Sequence, residues 1–273
     1  MTPKQVVLGK RTLIMGILNV TPDSFSDGGR FASTQHAVKN AKKMVEDGAD
    51  IIDIGGESSR PGADPVSVDE ELERVIPVVR GVTDETEAII SVDTCKAAVA
   101  DQALQAGADM INDITALRFD PDIVHVVAEA NASIILMHMQ GNPRTMQQTP
   151  AYTNLIDEIS LFLQESIEFA ESNGVASGRI FIDPGIGFGK TVQHNLEILR
   201  QLDQFKRLGK PMLIGTSRKS FIGKILDLPV ECRLEGTAAT VAWSIAGGVD
   251  IVRVHDVKPM KRVAKMTDAI YRY

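Results

Sequence analysis

Aromatic side chains are scarce in this sequence: one Trp, three Tyr and nine Phe, 5% of 273 residues. A core built from it must therefore be mostly aliphatic, and the 44% hydrophobic content is ample for one. Cysteine is scarcer still. Cys95 and Cys232 stand far apart with no paired spacing. That excludes a disulfide framework or a cysteine zinc set and fits reduced thiols in the cytoplasm. His36, His125, His138 and His194 are scattered and make no metal set. No run approaches the ~18 apolar residues of a membrane span. Lys10-Arg11 before the apolar residues 13–18 faintly resembles a secretion signal. The stretch is short, and residues 19–23 offer no small-residue cleavage site, so it reads as a buried first strand. Positive charge is in deficit, 29 Lys and Arg against 36 Asp and Glu, for a net charge of −7 and a pI near 5.3. This argues against nucleic acid or an anionic membrane as the main partner. It leaves room for a small anion held by a local cluster of Arg and Lys.

Three segments resemble one another: Asp47-Gly48-Ala49-Asp50-Ile51-Ile52-Asp53, Ala106-Gly107-Ala108-Asp109-Met110-Ile111-Asn112 and Gly247-Gly248-Val249-Asp250-Ile251-Val252-Arg253. In each, a glycine suited to the left-handed end of a helix is followed two residues later by a strand. This is the punctuation of repeated strand–helix units. Apolar strand candidates number eight: 13–18, 51–54, 88–92, 110–111, 133–137, 180–182, 212–214 and 251–254. Helical spacing of apolar residues runs over 34–47 and 155–172. Residues 5–13, with Gly9-Lys10 at the centre, read as a β-hairpin before the first strand. No linker or low-complexity stretch interrupts the chain, so residues 1–273 read as one domain. Eight strands alternating with helices over this length favour a single (β/α)8 TIM barrel, with an open doubly wound sheet as the second choice.

In a parallel barrel the C-terminal ends of the strands share one face, where active sites form. Those ends supply Asn19, Asp53, Asp93, Asn112, His138, Asp183, Ser217, and Arg253 with His255. Of the acids in this set and beside it, Asp53 and Asp113 read as structural. The segment 180–190, Ile-Phe-Ile-Asp-Pro-Gly-Ile-Gly-Phe-Gly-Lys, is the most informative. Gly189-Lys190-Thr191 suggests a nucleotide P-loop, but that motif needs a glycine where Pro184 stands. What remains is a carboxylate, Asp183, at a strand mouth beside backbone free to approach a ligand.

Five loops carry a family resemblance: Asn19-Val20-Thr21-Pro22-Asp23-Ser24-Phe25-Ser26-Asp27-Gly28-Gly29, Gly56-Glu57-Ser58-Ser59-Arg60-Pro61-Gly62-Ala63, Asp183 to Lys190, Gly215-Thr216-Ser217-Arg218-Lys219-Ser220-Phe221-Ile222-Gly223 and Arg253-Val254-His255-Asp256-Val257. In order and spacing, from about Met15 to Val257, the chain resembles the dihydropteroate synthases. The resemblance implies a (β/α)8 barrel, commonly a cytoplasmic homodimer. The implied reaction joins 6-hydroxymethyl-7,8-dihydropterin diphosphate to 4-aminobenzoate, giving 7,8-dihydropteroate and pyrophosphate in folate biosynthesis. Sulfonamide inhibitors compete for the aminobenzoate site in that family. A pterin-binding methyltransferase and a catalytically silent pterin binder are the alternatives. The intact set of Arg60, Lys219, Arg253 and His255 argues against the first, and the retention of Asp183, Lys219 and the loop motifs argues against the second.

The chemistry suits the residues. A pterin offers a ring N–H and an exocyclic amine side by side, and a carboxylate accepts both bonds at once. The resemblance assigns this to Asp183, with Asp93 and Asn112 also on the pterin. Met137 and Phe188 would cover the ring faces. Lys219 would lie near pterin and aminobenzoate, with Ser220, Ser59 and Pro61 in the substrate pocket. Ser59 stands where threonine is common in the family, keeping the hydroxyl and losing a methyl. Arg60, Arg253 and His255 would hold the diphosphate, and Asn19 would hold Mg²⁺. No nucleophile–base pair is needed if diphosphate leaves first and the neutral aryl amine attacks afterwards. Lys219, Arg253 and His255 are the catalytic candidates. The loops 19–31 and 56–66 are expected to close and exclude water.

Overall fold

Eight strands, all parallel, lie in the order β6-β5-β4-β3-β2-β1-β8-β7 in a computed structural model that describes residues 2–20, 29–58, 62–142 and 144–272. They are β1 (Leu13–Asn19), β2 (Ile51–Gly55), β3 (Ile89–Asp93), β4 (Met110–Asp113), β5 (Ser133–Met137), β6 (Ile180–Asp183), β7 (Leu213–Ile214) and β8 (Ile251–Val254). A bridge between Ile182 and Met212, with Ile182 N donating to Pro211 O at 3.0 Å, joins the two ends of the sheet. The sheet is therefore a barrel and not an open doubly wound sheet. All eight expected strands form, and β1, β3, β4 and β6 each extend to a polar residue at the C-terminal end. Between and after them lie α1 (Gly29–Glu46), α2 (Val68–Glu85), α3 (Ala97–Gln105), α4 (Ile123–Ala130), α5 (Leu155–Ser172), α6 (Val192–Arg200), α7 (Ser220–Leu226), α8 (Leu234–Ala246) and α9 (Val257–Tyr271).

Alternation along the strands divides the core in two. Ile14, Leu18, Ile52, Ile54, Ile90, Val92, Ile134, Leu136, Val252 and Val254 pack outward against the helices. Each such burial contributes about 2 kcal/mol. The helices answer with their own stripes: Ala37 and Ala41 of α1, and Leu155, Ile159, Leu163, Ile167 and Ala170 of α5. Leu13, Met15, Ile51, Met110, Ile135, Phe181, Leu213 and Ile251 form a separate cluster inside the barrel. Only Phe181 among these is aromatic, as the composition requires.

The repeated glycines behave as the sequence implies: Gly48, Gly107 and Gly248 have φ of 105°, 113° and 92°. The aspartate two residues on does more. Asp50, Asp109 and Asp250 each accept a backbone N–H from the neighbouring strand's start, from Ile14, Ile90 and Met212 at 2.9, 3.0 and 2.9 Å. In each case the aspartate's own N–H donates back to that residue's carbonyl. The three pairs stitch the N-terminal rim of the barrel.

The hairpin expected over residues 5–13 does not form. The chain bends at residues 9–11, but residues 2–8 belong to no strand. Lys4 N donates to Asp109 at 2.7 Å, Lys4 O accepts from Arg179 at 2.9 Å, and Val6 joins the inner apolar cluster. The segment gains more by covering the bottom of the barrel than by pairing with β1.

Candidate active site

Above the inner apolar cluster the inward-facing positions turn polar. Asn19 pairs in register with Gly55, Gly55 with Asp93, and Asp93 with Asn112. Met137 pairs with Asp183. Arg253 of β8 reaches across this mouth, placing Nε 2.6 Å from Asp53 Oδ2 and Nη2 2.7 Å from Asp93 Oδ2. Asn112 Nδ2 donates to the same Asp53 oxygen at 3.1 Å. Burial raises the Asp93 carboxyl to about 7. Arg253 opposes the shift, and the anions of Asp53, Glu71 and Asp113 add to it. For Arg253 itself burial favours the neutral form, yet Asp53 and Asp93 outweigh it and hold the guanidinium charged.

The β6–α6 loop forms the second wall. Lys219 Nζ lies 4.0 Å from the Phe188 ring centre and donates to Ile186 O at 2.7 Å. Burial pulls Lys219 down to about 7, against the pull of Asp183. Asp183 is buried and raised by that burial, while Gly185 N donates to its Oδ1 at 2.7 Å and Lys219 and Lys190 favour its charge. Gly185 has φ +73°, and a Cβ there would lie 1.9 Å from His138 O, so only glycine allows this close approach. Lys190 is buried beneath the loop. Its amine meets His138 Nδ1 at 2.9 Å and donates to Phe188 O at 3.0 Å. Burial lowers Lys190 well below its usual range and takes His138 down to about 2. Phe188 packs with Met137, Met139, Met146 and Ile114 in an apolar wall beside these charges. A barrel mouth with one acidic edge, one cationic edge and a sulfur-rich face suits a flat, hydrogen-bonding, anionic ligand.

The pterin-binding enzyme family matches residues 15–255. The chain belongs to that family. A dihydropteroate synthase from Synechocystis sp. is 56% identical over 265 residues, covering 97% of this chain and 92% of that protein. The crystal structure of dihydropteroate synthase from Clostridium difficile in the presence of pteroic acid is 50% identical, with a TM-score of 0.93 over 98% of this chain and 100% of that one. That of Yersinia pestis in a sulfonamide drug complex is 42% identical, with a TM-score of 0.93 over 100% and 99%. Within the pterin-binding enzymes the chain is thus one of the dihydropteroate synthases.

Of the residues that the family resemblance singles out, Asp93, Asn112, Met137, Asp183, Phe188, Lys219 and Arg253 converge on the mouth. Asn19 ends β1 there, half-buried. His255 is exposed one layer further out, with its Nδ1 3.0 Å from Ser217 Oγ. Ser220 is exposed at the first position of α7. Ser59, Arg60 and Pro61 lie outside the described residues, as do residues 21–28, so loop closure over 19–31 and 56–66 rests on segments only partly described. Asp93 does not cap the following helix; Asp120 accepts the Ala97 N–H there.

The three remaining strand-end residues differ. Asp53, read as structural and set apart from the site, binds Arg253 and Asn112 of the mouth directly. Asp113 is structural: it accepts from Thr115 N, Thr115 Oγ1 and Leu117 N, holding the turn in which Ala116 and Leu117 adopt positive φ. His138 faces away from the mouth, edge-on to Phe162 at 4.7 Å, and supports Lys190. Met139 shares the apolar wall with Met137, and its spacing of two residues from Met137 is the sequence signal for it. Met146 carried no sequence signal. Neither did the Lys96 ion pairs with Glu57 and Glu71, which fix the start of the second loop onto α2.

Proposed function

We propose that this mouth joins 6-hydroxymethyl-7,8-dihydropterin diphosphate to 4-aminobenzoate, releasing pyrophosphate and forming 7,8-dihydropteroate. The observation that carries the reading is the convergence of buried Asp183 and Asn112 and half-buried Asp93 with Lys219 and Arg253 around one opening. Asp183 accepts the paired donors of the pterin edge. Asn112 and Asp93 read the rest of the ring, and Phe188 and Met137 cover its faces. Arg253, His255 and Arg60 receive the departing diphosphate, while Lys219 steadies the ring carbonyl and draws in the carboxylate of 4-aminobenzoate. Ser59, Pro61 and Ser220 complete the aminobenzoate pocket, where a sulfonamide would compete. The electron-rich dihydropterin stabilises positive charge at its methylene, so the C–O bond to diphosphate breaks first. The neutral aryl amine then forms the C–N bond and gives up its proton to solvent.

Magnesium fits this site in a restricted way. Asn19 Oδ1 and Asp93 Oδ2 lie 3.7 and 3.9 Å from where a Gly55 Cβ would stand, so both border a space that glycine leaves clear. Among the described residues no three His, Cys, Asp or Glu side chains group as a metal set. The donors therefore suit an ion held by Asn19 and completed by water and phosphate oxygens. Such an ion would supply positive charge to the diphosphate.

A second copy of the chain is the expected partner. Ile225, Leu226, Leu228 and Val230, 51, 45, 36 and 43% exposed, cluster at the end of α7 and the turn after it. A patch of that kind supports a homodimer. The free thiols Cys95 and Cys232 support a cytoplasmic location. The test mixes protein, Mg²⁺, pterin diphosphate and 4-aminobenzoate and follows pyrophosphate and pteroate. Equal amounts of both support the reading; neither product, or a requirement for a methyl donor, removes it.

A further inference from the structure

Asp53 is fully buried, one layer below the strand ends, and four strands of the site meet through it. Its Oδ2 accepts from Arg253 Nε at 2.6 Å and from Asn112 Nδ2 at 3.1 Å, while the same Arg253 extends Nη2 to Asp93 at 2.7 Å. The other oxygen, Oδ1, is buried without a hydrogen-bond partner, and so is Ser91 Oγ, its neighbour in register. The unmet oxygen costs stability, and a site built for stability alone would replace the whole Asp53–Arg253–Asn112 set by apolar residues. Replacing Asp53 by itself would instead leave the Arg253 and Asn112 donors unpaired.

What Asp53 does is set direction. An ionised carboxylate only accepts hydrogen bonds, so the Asn112 amide must turn its nitrogen toward Asp53 and its oxygen away. The oxygen then faces the pocket, where it demands a donor from the ligand. Arg253 is split between Asp53 and Asp93, which keeps its fork from closing bidentately on Asp93. Resting on the dihydropteroate synthase reading, we infer that Asp53 is a positioning residue for pterin recognition. It fixes the Asn112 amide with its oxygen to the pocket and holds Arg253 spread between two acids.

The test compares wild type, Asp53→Ala and Asp53→Asn, each with and without Asn112→Ala, in the pyrophosphate assay. Wild-type turnover tests the underlying reading by itself, and the variants test the inference only once that turnover is seen. For Asp53→Ala the KM for pterin diphosphate should rise about tenfold or more, with the KM for 4-aminobenzoate within about twofold. Asp53→Asn, which keeps an acceptor but no longer dictates the amide direction, should fall between. The loss from Asp53→Ala should be at least about threefold smaller when Asn112 is already Ala, the remainder coming from the release of Arg253. If Asp53→Ala fails to fold, the same cycle is read with Asp53→Asn. Pterin KM values near wild type, equal rises in both KM values, or additive losses in the cycle would overturn the inference.

Discussion

Lys219 and Asp93 set the pH behaviour at the scale of single residues. Burial lowers Lys219 to about 7, so its charge is lost as pH rises through 7. Burial raises Asp93 to about 7, so its charge is lost as pH falls through 7. If both charges are needed, kcat/KM for the pterin diphosphate is a narrow bell centred near 7. Lys219→Arg, which cannot lose its charge, should move the alkaline limb upward; a limb that stays in place contradicts the assignment. Lys219→Ala and Asp183→Ala should each lower kcat/KM on the order of 100-fold while leaving the thermal midpoint within about 3 °C. Asp93, Asn112, Asp183 and Arg253 were legible from their places at the C-terminal ends of the strands and from the family resemblance. The role of Asp53 was not, because its partner Arg253 lies 200 residues away and only barrel closure brings them together.

The glycine loop after β6 shows how an element carries the site. Gly185→Ala places a Cβ against His138 O in a left-handed conformation, so a loss of at least about 2 kcal/mol is expected in urea unfolding, with reduced activity as Asp183 and Phe188 shift. The opposite rim should respond differently. Asp250→Ala leaves the Met212 N–H without its acceptor, at a cost of about 1–3 kcal/mol, yet kcat/KM should stay within about twofold. A large activity loss with unchanged stability would contradict that division of labour. The strands were readable because each is a short apolar run closed by a polar residue or glycine. The hairpin misreading arose because Gly9-Lys10 is good turn chemistry, while the competing anchors, Asp109 and Arg179, stand just before the distant strands β4 and β6.

Viewed as a whole, the molecule separates stability from chemistry along the barrel axis. The lower interior is apolar and stitched by Asp50, Asp109 and Asp250. The upper interior is charged, with Arg253 drawn to two acids and Lys219 stacked on Phe188. If the exposed cluster at 225–230 is a dimer face, replacing Leu226 and Val230 with Asp should shift the sedimenting species from dimer to monomer. An unchanged mass would place the interface elsewhere. The central claim is the condensation itself, and one measurement reaches it directly: product formation from pterin diphosphate by wild type and Asp183→Ala, with and without 4-aminobenzoate. The account predicts one pteroate per pyrophosphate for wild type, and loss of both in the variant with its fold intact. Pyrophosphate release without pteroate in wild type, or near wild-type pteroate formation by Asp183→Ala, would contradict it.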